Sequence, residues 1–281
     1  MADLLSCESI GKAELEIPIR QPRLEFDEDI PKHWFGGNPV ITHNFNAYNL
    51  LFPELERFFI RSVMFYRDSI QDKRLLEQVK GFVGQESMHA KAHEAYFKLL
   101  EYQGYEIGKH LLRYRRYAST IESMASAKLR IALTAAAEHY TATLAEIFLS
   151  TPCLLDDVDG RMKKFIVWHA AEEIEHRSVS FNVMQLVGVG YPMRIVAFLM
   201  VTMDSLLWVI IGSFMLLRKD RISLFQAIKY KWQFRRCFPS VRKVFRRSLF
   251  AYFRSDFHPD RKPLLETAHA QLISVGIDAE S

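Results

Sequence analysis

Apolar residues recur at three- and four-residue spacing along most of the chain, so the pattern predicts helices almost throughout. From about Thr42 to Ser69, Phe52, Glu56, Phe59, Val63 and Tyr66 share one face, with a start or kink at Pro53. A second helix, about Asp72 to Tyr102, carries Phe82, Glu86, His89, His93, Tyr96 and Leu100 and stops near Gly104, a residue suited to ending a helix. The third, about Ile121 to Leu149, aligns Ile131, Ala135, Glu138, Ala142, Ala145 and Leu149 and ends before Pro152. A fourth follows the capping-type residues Asp156, Asp157 and Asp159 and aligns Phe165, His169, Glu173, His176, Ser180 and Val183. Ahead of these, residues 1–41 with Pro18, Pro22, Pro31 and Pro39 predict a mostly irregular arm, whose acidic run Asp27, Glu28, Asp29 reads as solvated surface.

In all four stripes apolar residues continue above and below while ionisable ones occupy the middle, which places the polar groups inside a bundle. Glu86 and His89 form one Glu-x-x-His pair, Glu173 and His176 another, and each pair follows a lone inward glutamate, Glu56 or Glu138, by roughly thirty residues. Residues three apart on a helix aim at one point. A Glu from each of two helices plus a Glu-x-x-His from each of two others is the ligand set of di-iron and di-manganese four-helix bundles. Buried carboxylates need compensation, and a metal pair uses them all. His93, four after His89, and His169, four before Glu173, extend the set as ligands or as hydrogen-bond partners of ligands. Glu54 competes with Glu56, and Glu172 with Glu173; the stripe favours Glu56 and the Glu-x-x-His spacing favours Glu173. His139 points a quarter-turn from Glu138 and reads as structural, and Tyr66, Tyr96 and Tyr140 read first as core.

The segments Phe52-Pro53-Glu54-Leu55-Glu56-Arg57-Phe58-Phe59, Gln85 to His93, Ala136 to Ala142 and Trp168 to His176 resemble a bacterial family of predicted metal-dependent hydrolases, over about Asn38 to Met203. The resemblance implies a ferritin-like metal-binding bundle, with Glu56, Glu86, His89, His93, Glu138, His169, Glu173 and His176 at its motif positions.

Two kinds of chemistry follow from such a site. Two irons suit reduction of dioxygen, and two zinc or manganese ions suit activation of a bridging water for hydrolysis. The ligand layout favours iron, with manganese or zinc as the other metals, and an oxidase or oxygenase acting on an apolar, fatty-acyl-like substrate. A hydrolase is the alternative, and a metal-storage or sensing bundle a third reading. Ala135, Ala142 and Ala145 beside Glu138 leave a cavity or merely permit close packing.

Composition fits an ample core: 281 residues, 49% hydrophobic, with 12 Gly and 10 Pro. Cys7, Cys153 and Cys237 are far apart and odd in number, so neither a disulfide framework nor a cysteine zinc site is expected, and a reducing interior fits best. The stretch Met1 to Gln21 lacks a signal-peptide pattern, which predicts a cytoplasmic start. Net charge is +4, but Arg221 to Arg254 holds ten basic residues and no acidic one, so an acidic body carries a basic tail. Ile195 to Leu217 holds one ionisable residue, Asp204, and is long enough to cross a bilayer or to pack as a buried helix. In the tail, Val241, Val244, Phe245, Ser248, Leu249 and Tyr252 form a face flanked by Arg242, Lys243, Arg246 and Arg247, suited to an anionic membrane or to covering the acidic bundle. Phe225, Tyr230, Trp232, Phe234 and Phe238 add aromatics; no nucleic-acid motif is present.

The organisation expected is an all-α, ferritin-like four-helix bundle over residues 42–190, a long apolar helix over 191–220 and a basic amphipathic region over 221–281. The chain is then cytoplasmic, peripheral to or inserted in the inner membrane, with an apolar or lipid substrate.

Overall fold

The computed structural model describes residues 17–233, 235, 237–261 and 264–278. It is an all-α bundle; among the described residues the one extended pairing is an isolated bridge between Phe35 and Val158. The arm from residue 17 to 38 is irregular, as its prolines dictate. Residues 1–16, Cys7 among them, lie outside the described residues, as do Phe234 and Arg236 of the tail. Asp27 and Asp29 are more than half exposed, yet both pair with Arg161.

The predicted first helix divides in two: α1, Pro39–Asn49, capped by the Asn38 side chain, and α2, Phe52–Met64. The division falls at Leu50–Leu51 because Pro53 supplies no N–H for a continuous ladder and sits in the first turn of α2 instead. Helix α3, Lys73–Tyr102, is capped by Asp72, and the chain leaves it through Gly104 at φ +89°. The third helix begins later than the expected Ile121. Ser126 caps α5, Ala127–Ser150, and the preceding residues form a separate helix α4, Gly108–Met124. In α4 only His110 and Tyr114 are buried, so it carries almost no apolar stripe to betray it. Asp159 caps α6, Gly160–His176, and a short α7, Val179–Leu186, continues the stripe, so Ser180 and Val183 belong to α7.

Helices α2, α3, α5 and α6 pack together, α2 on α3 and α5 on α6, around two main apolar clusters. Helix α8, Tyr191–Lys219, lies against α1 and α5. It is long and apolar enough to cross a membrane, and only 22% of its most apolar stretch is buried. Asp204 is on its inward side, beside Tyr117. Helices α9, Leu224–Gln233, and α10, Phe238–Tyr252, form the basic region, followed by α11, Leu265–Ser274. The apolar side of α10 turns onto α5: Tyr252 is buried against Phe198 with ring centroids 4.5 Å apart, Ser248 accepts from His139, and Arg247 pairs with Glu146. This face of the tail therefore covers the bundle.

One expectation is overturned. Cys153 and Cys237 are joined in a disulfide that ties the start of α10 to the turn after α5. Their separation of 84 residues hid the pairing from sequence, because only the packing of α10 on α5 brings them together.

Candidate metal centre

The four bundle helices deliver the eight predicted donors to one place. Glu56 comes from α2, Glu86, His89 and His93 from α3, Glu138 from α5, and His169, Glu173 and His176 from α6; none is more than 9% exposed. Glu173 Oε1 lies 3.0 Å from His169 Nε2, 3.8 Å from His89 Nδ1 and 4.0 Å from His176 Nε2. Glu86 reaches the same two sides, 4.0 Å from His89 Nδ1 and 3.6 Å from His176 Nε2. Glu56 Oε1 is 3.2 Å from His93 Nε2 and 3.7 Å from His169 Nε2, and Glu138 Oε2 is 3.1 Å from His176 Nδ1. Two overlapping groups result, each compact enough for one cation: Glu86, His89, Glu173 and His176, and Glu56, His89 and His169.

The donors are not satisfied by one another. Ten of their buried atoms make no hydrogen bond of acceptable geometry, including both oxygens of Glu56 and Glu86 and one nitrogen of each of the four histidines. Buried polar atoms are ordinarily paired, so ten orphans converging on one point mark a site built around something else. Burial, and then the neighbouring carboxylates, push Glu56 and Glu86 well above the usual carboxylate range. Burial also holds His89 and His93 well below the usual histidine range, which keeps these imidazoles neutral and able to ligate. At His176 burial acts the same way, but Glu138 and Glu173 override it and hold the ring up at about 9. Glu173 is raised by burial yet pulled below its ordinary value by His176 and His169.

The far side of each ring is oriented by a partner. His93 Nδ1 meets Asn49 Oδ1 at 2.7 Å, and His89 Nε2 meets Glu172 Oε2 at 2.9 Å, leaving the opposite nitrogen of each ring toward the cluster. Glu172 therefore stands behind His89, while Glu173 lies in the cluster. Glu54 lies away from it, 3.3 Å from Arg115. Behind Glu172 sits Arg20, which donates to Glu172 at 3.3 Å and to Glu175 at 2.8 Å and is 2% exposed. Sequence reading missed Arg20 because it belongs to the irregular arm. The available signal was Gly81 on α3, where a Cβ would meet the Ile17 Cβ at 2.5 Å and the Ile17 carbonyl oxygen at 2.6 Å, so the arm crosses the helix this closely because that residue is glycine.

The remaining sequence candidates fall elsewhere. His139 is bonded to the Ser248 carbonyl at 3.0 Å, Tyr96 is a core residue bonded to Trp34 and Asn46, and Tyr140 stacks on Phe198. Tyr66 is half-buried in the core near the other end of α2. Ala145 lines a cavity of about 230 Å³ that reaches His169 and Glu173, bounded mostly by apolar residues such as Phe45, Phe52, Phe148 and Phe238. Ala135 is simply packed in the core.

An all-α bundle with paired Glu-x-x-His segments converging on a buried donor cluster defines a metal-dependent protein. A family model described as predicted metal-dependent hydrolase matches residues 18–262, and the chain belongs to that family. No curated protein and no solved structure matches it. The family description agrees with the hydrolase alternative better than with the oxidase or oxygenase placed first from the ligand layout. That preference came from architectural analogy, and one architecture hosts several chemistries.

Proposed function

We propose that the cluster holds two metal ions and that the protein is a hydrolase dependent on them. The observation that carries this reading is the set of ten unsatisfied buried donor atoms between the four helices. Their mixture of carboxylate oxygens and imidazole nitrogens suits zinc, manganese or iron. Glu56, His89 and His169, with His93 beside them, would hold one ion; Glu138 and His176 would hold the other. Glu86 and Glu173 each lie between His89 and His176 and would serve both ions as bridges. When bound, such a pair polarises a substrate oxygen and lowers the pKa of a water enough to make it a nucleophile at neutral pH.

The chain's own residues do the positioning. Arg20 and Glu172 fix the His89 ring, Asn49 fixes His93, and second partners of this kind are worth about 10–100-fold in metal affinity. Phe52, Phe82, Phe165 and Trp168 pack against the histidine rings with centroids 4.8–5.2 Å apart and keep bulk water out. The apolar cavity at His169 and Glu173 is the approach for substrate.

Metal analysis of protein purified without added metal, joined to hydrolysis assays on p-nitrophenyl esters and bis-p-nitrophenyl phosphate with and without oxygen, tests this. About two ions per chain and oxygen-independent, chelator-sensitive hydrolysis are expected, with both Glu138→Ala and His176→Ala lowering metal content. Turnover that requires dioxygen would replace hydrolysis by oxygen chemistry, and two tightly held ions in both variants would sink the ligand assignment.

A further inference from the structure

We infer that the cavity reaching His169 and Glu173 continues into the cationic groove on α10, and that together they take a water-soluble anionic amphiphile, its alkyl chain in the cavity and its anionic group on the groove. This goes beyond the hydrolase reading and stands apart from it: the alkyl end, which carries no bond to hydrolyse, is what faces His169 and Glu173, so the amphiphile is a ligand of the chain rather than the molecule hydrolysed. Two observations join the compartments. Phe238 lines both the 230 Å³ cavity and an open groove of about 640 Å³, and the next turn of α10 places Val241 in the cavity wall and Arg242 in the groove. The cavity walls offer almost only carbon, so they reward an alkyl chain and penalise a charge. At about 230 Å³ the cavity is smaller than the ~300–1,000 Å³ typical of drug-sized ligands, which favours a slender chain over a ring system.

The groove has the opposite chemistry. Arg242, Lys243 and Arg246 line it, and none of the three makes an ion pair with a described carboxylate; Arg247, beside them, is already committed to Glu146. Three cations with no carboxylate partner among the described residues, and an apolar shaft under the same phenylalanine, are complementary to a molecule with one apolar and one anionic end. The disulfide stands at this junction: Cys153 precedes Leu154, Cys237 precedes Phe238, and both neighbours line the cavity. It holds the shaft and the groove in register.

Titration calorimetry of the full-length, metal-loaded protein with octyl sulfate, inorganic sulfate and octyltrimethylammonium tests the inference. Octyl sulfate is expected to bind at least tenfold more tightly than either of the others, and to keep that preference on metal-stripped protein. Arg242→Glu combined with Lys243→Glu should weaken it at least tenfold. Asn44→Trp, an exposed residue on the cavity lining, should weaken octyl sulfate and leave inorganic sulfate unchanged; Ala145→Leu, from inside, should do the same. Equal binding of octyltrimethylammonium, or full octyl sulfate affinity in both cavity variants, overturns the inference. So does pelleting with phosphatidylglycerol vesicles in the absence of octyl sulfate binding, which would assign the groove to a membrane surface. Selective binding without any hydrolysis would instead fail the hydrolase reading alone, and hydrolysis of short esters without selective binding would fail this inference alone.

Discussion

Replacing Glu86 by glutamine separates a metal centre from a structural ion-pair network, because the two predict opposite effects on the metal-free protein. Glu86 is fully buried, both its oxygens are unsatisfied, and burial together with Glu138, Glu173 and Glu56 makes its charge unwelcome. At neutral pH the folded acid must either carry that charge or take up a proton, at about 1.4 kcal/mol for each tenfold change in its ionisation constant; the permanently neutral Glu86→Gln side chain does neither, so it should stabilise the metal-free protein by at least about 1 kcal/mol. In the metal-bound protein the sign reverses. On the ligand assignment proposed above, losing the Glu86 carboxylate would weaken metal affinity about a hundredfold and remove about 2.7 kcal/mol of ligand-linked stability. For a chain of 281 residues that is about 5 °C in Tm. The assay is thermal unfolding of wild type and Glu86→Gln, each with chelator and with saturating metal. A variant that is less stable than wild type in chelator, by as much as in metal, would refute the reasoning, since it would show that Glu86 stabilises the fold through protein contacts.

Two further outcomes follow from groups outside the cluster. His43 is fully buried against Asp220 at 2.7 Å, with His33, Lys32 and Tyr105 around the same carboxylate, and burial holds its pKa below the usual 6.5 although Asp220 pulls upward. A lowered folded pKa contributes stability that is present above 6.5 and lost as pH falls toward the folded value. The stability advantage of wild type over His43→Asn should therefore shrink between pH 7 and pH 5, by at most about 2 kcal/mol, whereas the Asp220 contribution, lowered from 3.8, stays constant in that window; denaturant titrations that show a constant or growing difference would contradict this. Thiol titration of protein purified without reductant should find two fewer reactive thiols per chain than after reduction, and reduction should cost about 4–5 kcal/mol for a closed loop of this length.

The donor residues were legible in the sequence because helical periodicity is local: three or four residues fix whether Glu86, His89 and His93 share a face, whatever they pack against. The capping aspartates Asp72 and Asp159 and the stop at Gly104 were legible for the same reason. Helix α4 was not, since an exposed helix leaves no stripe, and the break between α1 and α2 needed the packing to decide where Pro53 would fall. Tertiary structure alone settled what lies behind and beside the cluster. Arg20 reaches Glu172 across 152 residues and Cys153 reaches Cys237 across 84, and no periodicity links positions that far apart. It also decided that the apolar side of α10 lies on α5, because an amphipathic face is equally content with a bilayer or a bundle until a complementary surface is present. Sequence determined which residues could offer metal donors; the fold determined that they meet, that they are buried, and that an apolar cavity reaches His169 and Glu173.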